Sequence, residues 1–226
     1  MDRGTGVPIV FLHAGSGNSG LWSNQVEFFS TAGYRCIAYD RRAQAAAADE
    51  LEALVTGLGL ERFHLVGTAA GGIVAIDYAL SFAKRLRSLV VANSIFGVKD
   101  EAYLAVTRRL RPSPQFDALP VEVRELGPSY RAANPEGVRR WADASRHASP
   151  QATRNRITYA ALETIRTPTL VLTGDADLYL PPSLLREVAS HLLGSVSVVV
   201  PECGHSAFWE QPEIFNHAVL DFIRQN

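Results

Sequence analysis

The chain has 226 residues, with 22 Lys plus Arg against 23 Asp plus Glu, a formal net charge of −1. That length suits one domain with a sizeable core and room for an inserted subdomain. The near-neutral balance supplies no basic field for nucleic acid or anionic lipid, and 47% apolar with 20% charged residues reads as an ordinary globular protein.

The first apolar run, Val7 to His13, shows no polar alternation and predicts a strand buried on both faces. It ends in a glycine-rich turn, "HAGSGNSG", and a helical pattern follows over Leu21 to Thr31. A second buried-strand run covers Tyr34 to Asp40. Behind it, "RRAQAAAADELEAL" leads into a helix over Asp49 to Gly57. A third strand, Arg62 to Thr68, runs into "GTAAGG", and a helix is expected over Gly72 to Ala83. A fourth strand is expected over Leu86 to Ser94. The pattern then breaks. From Phe96 to Arg166 the chain is arginine-rich and helix-like, with prolines at 112, 114, 120, 128, 135 and 150 and no buried-strand run. A helical insertion is expected there. Strands over Thr167 to Asp175 and Ser195 to Pro201, and helices over Ser183 to Leu193 and Pro212 to Gln225, complete the chain. The alternation predicts a doubly wound, mostly parallel α/β sheet. The core is expected over 1–95 and 167–226, with a helical cap over 96–166 inserted after the strand ending near Ser94.

Cys36 and Cys203 lie far apart in sequence and imply no disulfide framework. No apolar run reaches membrane-spanning length, and the N-terminus lacks the apolar core of a secretory signal, so the cytoplasm is the expected location. The six histidines and two cysteines show no metal-ligand spacing, and no cofactor motif is present; no cofactor is expected. The expected partner is a small-molecule substrate, not nucleic acid or membrane. A homo-oligomer is compatible with this picture: an uncovered sheet edge near Val7 would invite a partner strand.

In open α/β sheets, ligands bind at the carboxyl ends of the strands. Those ends carry His13-Ala14-Gly15, Asp40-Arg41, Gly67 to Gly71, Asn93-Ser94, Asp175 to Asp177 and Cys203 to His205. His205 sits behind a glycine on such a loop, a common place for a general base. In "LVLTGDADLYLPP", Asp177 is the favoured partner to orient His205, and Asp175 is assigned to turn chemistry. The turn at Gly15, with Ser16 beside it, exposes N–H groups suited to one arm of an oxyanion hole. "GTAAGG" has the layout of a nucleophile elbow, a tight strand-to-helix turn, but its apex is Ala69 and a methyl group attacks nothing. The Ala70 N–H is the candidate second oxyanion donor. Ser16, Thr68 and Trp141 are candidate substrate contacts, against the plainer readings of turn, strand and core. Thr68, Ser16 and Cys203 are poor substitutes for the missing nucleophile, since none is expected at the apex with an activated group.

The order elbow, acid, histidine, behind a strand-ending glycine turn, resembles the α/β-hydrolase superfamily over nearly the whole chain. "CGHSAFWEQPEIFNHAVLDFI" and "RTPTLVLTGDADLYLPP" resemble segments of the branch holding carbon-carbon bond hydrolases, enol-lactonases and related esterases. The resemblance implies Asp177 and His205 as acid and base, Gly15 and Ala70 as oxyanion donors, Ala69 at the nucleophile position, and 96–166 as a lid. The chain departs from that pattern at Ala69, at Thr68 and Ser206 where the carbon-carbon hydrolases carry Asn and Trp, and in the loop after Asp40, which lacks its glycines. The family's first two strands would lie before Gly4.

Three readings of the alanine stay open at this level. The first is a carbonyl hydrolase whose serine has been knocked out. The second is a natural serine-less enzyme that uses His205 and Asp177 as a general base, in the manner of a lyase, isomerase or cofactor-free oxygenase. The third is a non-catalytic binder of a small molecule.

Overall fold

The computed structural model describes residues 1–42, 46–111, 113–144 and 152–226. Its centre is a seven-stranded sheet in the order β1-β3-β2-β4-β5-β6-β7. The strands are β1 (Asp2–Arg3), β2 (Pro8–Leu12), β3 (Arg35–Ala38), β4 (Phe63–Thr68), β5 (Leu86–Ala92), β6 (Thr169–Gly174) and β7 (Val196–Val200). All pairings are parallel except β1 with β3. The six strands expected from their apolar runs are all present. β1 is an addition: two exposed residues leave no hydrophobic pattern to read.

The expected sheet edge near Val7 is not an edge. β2 is flanked by β3 and β4, and the outer strands are β1 and β7. Strand order depends on crossover connections, which the local run Val7 to His13 does not encode.

Helices cover both faces. α1 (Ser23–Thr31) and α11 (Pro212–Ile223) pack on one, with Trp22, Phe29 and Phe215 buried among the sheet residues Ile9, Phe11 and Val66. α2 (Ala47–Gly57), α3 (Ala70–Phe82) and α9 (Pro182–Ala189) cover the other, around Leu51, Tyr78 and Leu185. Both faces of β4 and β6 are therefore fully buried, which is why these strands read as unbroken apolar runs.

The insertion between β5 and β6 is helical, as its sequence suggests. It contains α4 (Glu101–Leu110), α5 (Val121–Glu125), α6 (Pro128–Ala133), α7 (Pro135–Ala144) and α8 (Tyr159–Leu162). Its two ends do not stand apart from the sheet: Phe96, Val98, Ile157, Leu162 and Ile165 join the same buried cluster as Leu65 and Val91. Residues 43–45, 112, 150 and their masked neighbours within 145–151 lie outside the described residues, so the alanine-run lead-in and two of the insertion's prolines are not placed. The short α10 (Ala207–Glu210) follows β7 and precedes α11.

Candidate active site

Five segments at the carboxyl ends of β2, β4, β5, β6 and β7 meet one stretch of the insertion around a cavity of about 220 Å³, lined by Ala14, Gly15, Ser16, Ala69, Ala70, Ile73, Ile95, Glu125, Tyr179 and His205. That is room for a small substrate, not for a polymer.

The elbow comes first. β4 ends at Thr68, α3 begins at Ala70, and Ala69 between them has φ 48° and ψ −116°. Such a conformation costs a residue with a Cβ about 1–3 kcal/mol. The flanking glycines are there for space. A Cβ on Gly67 would strike the Gly71 carbonyl, and one on Gly71 would strike the Leu12 carbonyl. A Cβ on Gly72 would come within 2.6 Å of the Ser94 side chain. Ser94 also donates its hydroxyl to the Ala69 carbonyl at 2.7 Å, which pins the turn from β5. Ala70 opens α3, where the first N–H groups of a helix have no intrahelical acceptor. Its N–H is thus available to a ligand oxygen.

The turn after β2 is built around Arg41 and His13. The Arg41 guanidinium donates to the His13 carbonyl at 2.6 Å and the Ala14 carbonyl at 3.3 Å. His13 Nε2 accepts the Arg41 backbone N–H at 3.2 Å, so its proton sits on Nδ1 and goes to the Ala14 carbonyl at 2.7 Å. Burial, with Arg41 beside it, pushes the His13 pKa down to about 4 and keeps the ring neutral. With the carbonyls of 13 and 14 turned onto Arg41, Gly15 and Ser16 are left on the cavity wall.

His205 is buried, and its Nδ1 lies 2.9 Å from both oxygens of Asp177. Asp177 is fully enclosed. It also accepts the Tyr179 and Leu180 N–H groups at 2.8 and 2.9 Å, the Thr173 hydroxyl at 3.0 Å and the Asn93 amide at 3.1 Å. Burial alone would raise its pKa, but the imidazole and these donors outweigh that and hold it down at about 2. For His205 burial works against protonation, yet Asp177 and then Glu125 raise its pKa above the ordinary histidine value. Its Nε2 makes no hydrogen bond among the described residues and opens onto the cavity. A base held by one nitrogen and free at the other can take a proton from water or substrate.

Of the residues singled out by sequence, Gly15, Ser16, Ala69, Ala70 and His205 line one cavity and Asp177 stands directly behind His205. Asp175 instead accepts the Glu202 and Cys203 N–H groups at 3.1 Å, closing the turn after β7. Thr68 and Trp141 do not line the cavity. Thr68 belongs to the fully buried β4, where its side chain points away from the apex as strand alternation requires, and Trp141 is buried in α7. Cys203 is buried, and burial near Glu210 and Asp177 pushes its thiol far up, which removes it as a nucleophile.

Sequence reasoning passed over three residues. Asn93, with φ 46°, bridges Asp177, the Gly204 carbonyl at 3.1 Å and the Ala207 N–H at 3.3 Å. Its place at the carboxyl end of a strand was a legible signal. Tyr179 packs its ring 4.4 Å from that of His205. Glu125 comes from α5, and nothing in its amphipathic surroundings distinguishes it from the other acids of the insertion.

Comparison with known proteins agrees with this fold. The chain is 27% identical over 257 aligned residues to the 2-hydroxy-6-oxononadienedioate/2-hydroxy-6-oxononatrienedioate hydrolase of Comamonas testosteroni, covering 98% of this chain and 89% of that one. It is 31% identical to the putative carbamate hydrolase RutD of a Caulobacter strain, over 95% of this chain and 90% of that one. A thermophilic esterase from Thermogutta terrifontis superimposes with a TM-score of 0.82 at 27% identity, over 100% of this chain and 92% of that one. The model of the alpha/beta hydrolase family matches residues 9–218. A match over that span, on a parallel sheet with a strand-to-helix elbow at its centre, shows that the chain belongs to the alpha/beta hydrolase family.

Proposed function

We propose that the protein acts on a small carbonyl compound, an ester, a lactone or a C–C bond next to a ketone. His205 is the general base, Asp177 orients it and stabilises the imidazolium it becomes, and the Gly15 and Ala70 N–H groups receive the developing oxyanion. Ser16 touches the substrate, and the inserted stretch 96–166 is its lid. Ala69 is the nucleophile position of a serine site from which only the oxygen is missing. No acyl-enzyme forms in this chain, and water attacks in its place.

The observation that carries this reading is the cavity itself. The imidazole Nε2, the apex of the elbow and the turn at Gly15 share one enclosed space. The relatives named above are by their printed names a hydrolase, a putative carbamate hydrolase and an esterase, which fits a site built to stabilise an oxyanion. Loss of a serine nucleophile with base and oxyanion hole intact leaves rates about 10³–10⁴ above water in related hydrolytic sites.

The reading is tested by comparing the unaltered chain with Ala69→Ser. Both are treated with a fluorophosphonate and weighed intact. The expected result is one covalent adduct on Ala69→Ser and none on the unaltered chain. A folded Ala69→Ser protein that stays unlabelled would show that base and oxyanion hole are not poised for an oxygen at the apex, and the reading fails.

A further inference from the structure

The cavity has a second ionisable group. Glu125 ends α5, and its backbone carbonyl accepts the His205 N–H at 2.9 Å. The two residues are thus fastened at the main chain, and both line the cavity. The Glu125 carboxyl forms no hydrogen bond among the described residues. A half-buried carboxyl without a protein partner, beside the catalytic base, has no structural task to explain it. The contrast is Glu210, a more deeply buried acid whose oxygens are filled by the N–H groups of Gly127, Gly204 and Ser206.

We infer that Glu125 is the catalytic acid of this site, delivering a proton to the departing oxygen of an alkyl ester or lactone while His205 takes one from the attacking water. This rests on the assignment of His205 as base. His205 Nε2 takes a proton from water, and the water oxygen forms a bond to the carbonyl carbon. The carbonyl electron pair moves onto its oxygen, which the Gly15 and Ala70 N–H groups hold. When that pair returns, the bond to the leaving oxygen breaks, and this oxygen takes the Glu125 proton. The imidazolium then passes its proton to the Glu125 carboxylate, which restores both groups. The sum is ester plus water giving acid plus alcohol.

The surroundings suit a shared proton. Burial raises the Glu125 pKa; His205 and Arg124 pull it down and Asp177 pushes it further up. Glu125 in turn raises His205, while Arg111 lowers it. Tyr179, packed against the His205 ring with Arg111 5.6 Å from its own ring centre, closes the remaining side. A carboxyl and an imidazole that shift each other's hold on a proton in one cavity form a pair able to exchange it.

The test uses the leaving group. Ethyl acetate expels a strongly basic alkoxide that needs a proton, whereas p-nitrophenyl acetate expels a stable phenolate that does not. Turnover of both esters is measured for the unaltered chain, Glu125→Gln and His205→Ala. Glu125→Gln is expected to lose about 10²–10⁴-fold on ethyl acetate and far less on p-nitrophenyl acetate, with a urea midpoint near that of the unaltered chain showing that it is folded. His205→Ala is expected to lose both. Equal loss on the two esters, no loss on ethyl acetate, or an unaltered chain that hydrolyses only the p-nitrophenyl ester overturns the inference and leaves His205 as base. Turnover that survives in His205→Ala, or an unaltered chain inert to both esters, overturns the proposed function and the inference with it.

Discussion

Ala69 stands at φ 48° because the chain has to turn from β4 into α3 within one residue, with Gly67, Gly71 and Gly72 clearing the space. A serine would gain a presented hydroxyl from that strain. Alanine gains nothing, so the strain is an uncompensated cost here. Ala69→Gly is therefore expected to stabilise the fold by on the order of 1 kcal/mol, the relieved strain outweighing the extra freedom glycine brings to the unfolded chain. A urea melt measures it, and a lower midpoint would show that the apex is relaxed. Asn93 is the other residue whose conformation is explained only by its contacts. It holds Asp177 and the His205 loop together through one amide. Asn93→Ala is expected to reduce turnover by about tenfold or more with the melting behaviour changed far less, since partners that orient a catalytic group typically cost 10–100-fold when removed. Retained turnover would mean that Asp177 is held well enough by Thr173 and the Tyr179 and Leu180 N–H groups.

At the scale of elements, one buried side chain of α10 is among the contacts that join the insertion to the core. Glu210 of α10 accepts the Gly127 N–H from the start of α6 at 2.7 Å, and the Gly204 and Ser206 N–H groups at 3.0 and 3.1 Å. Burial raises its pKa, and these three donors oppose the rise. Glu210→Ala is expected to cost about 1–3 kcal/mol, the penalty for buried N–H groups left without acceptors. It should also speed limited proteolysis within 121–144, because the Gly127 contact is lost. Unchanged cleavage would show that the insertion is held by other contacts. The sequence "GHSAFWEQP" drew attention to His205 as a base and gave no hint that Glu210, five residues on, fastens a helix 83 positions earlier.

Two of the described histidines, His13 and His64, are buried and held neutral, and they make the molecule sensitive to acid. Burial, helped by Arg41, brings His13 down to about 4. Burial, helped by Arg87 and Arg62, does the same to His64, which meets the Ser88 hydroxyl at 2.7 Å. A histidine whose folded pKa lies below its unfolded value contributes stability that is present above pH 6.5 and is lost as pH falls toward 4. His205 has the opposite sign, and its contribution is already complete below 6.5. Between pH 6.5 and 4.5 the stability is thus expected to drop by on the order of a few kcal/mol. Urea midpoints across that range measure the drop, and a flat profile would mean that neither ring is held neutral by the fold.

The sequence determined the class of the fold. Six apolar runs, each without polar alternation, predicted strands covered on both faces; the intervening helices supply that cover for the inner strands, while β7 at the edge of the sheet stays largely exposed. It determined the position of the site as well, because strand ends in such a sheet converge and the glycines of "GTAAGG" permit little but a tight turn. It did not determine the strand order that buries β2, since pairing between distant segments is a property of the crossovers. It favoured Asp177 over Asp175 as the partner of His205, and the physical reason lies in the fold: the Asn93, Thr173 and His205 side chains surround Asp177 alone. Thr68 and Trp141 read as substrate contacts in sequence, but strand alternation and helix packing turned them into the core. Glu125 lay beyond reach for the same reason. A local pattern sets which face of a short helix is polar, and only the docking of that helix over His205 decides what the polar face meets.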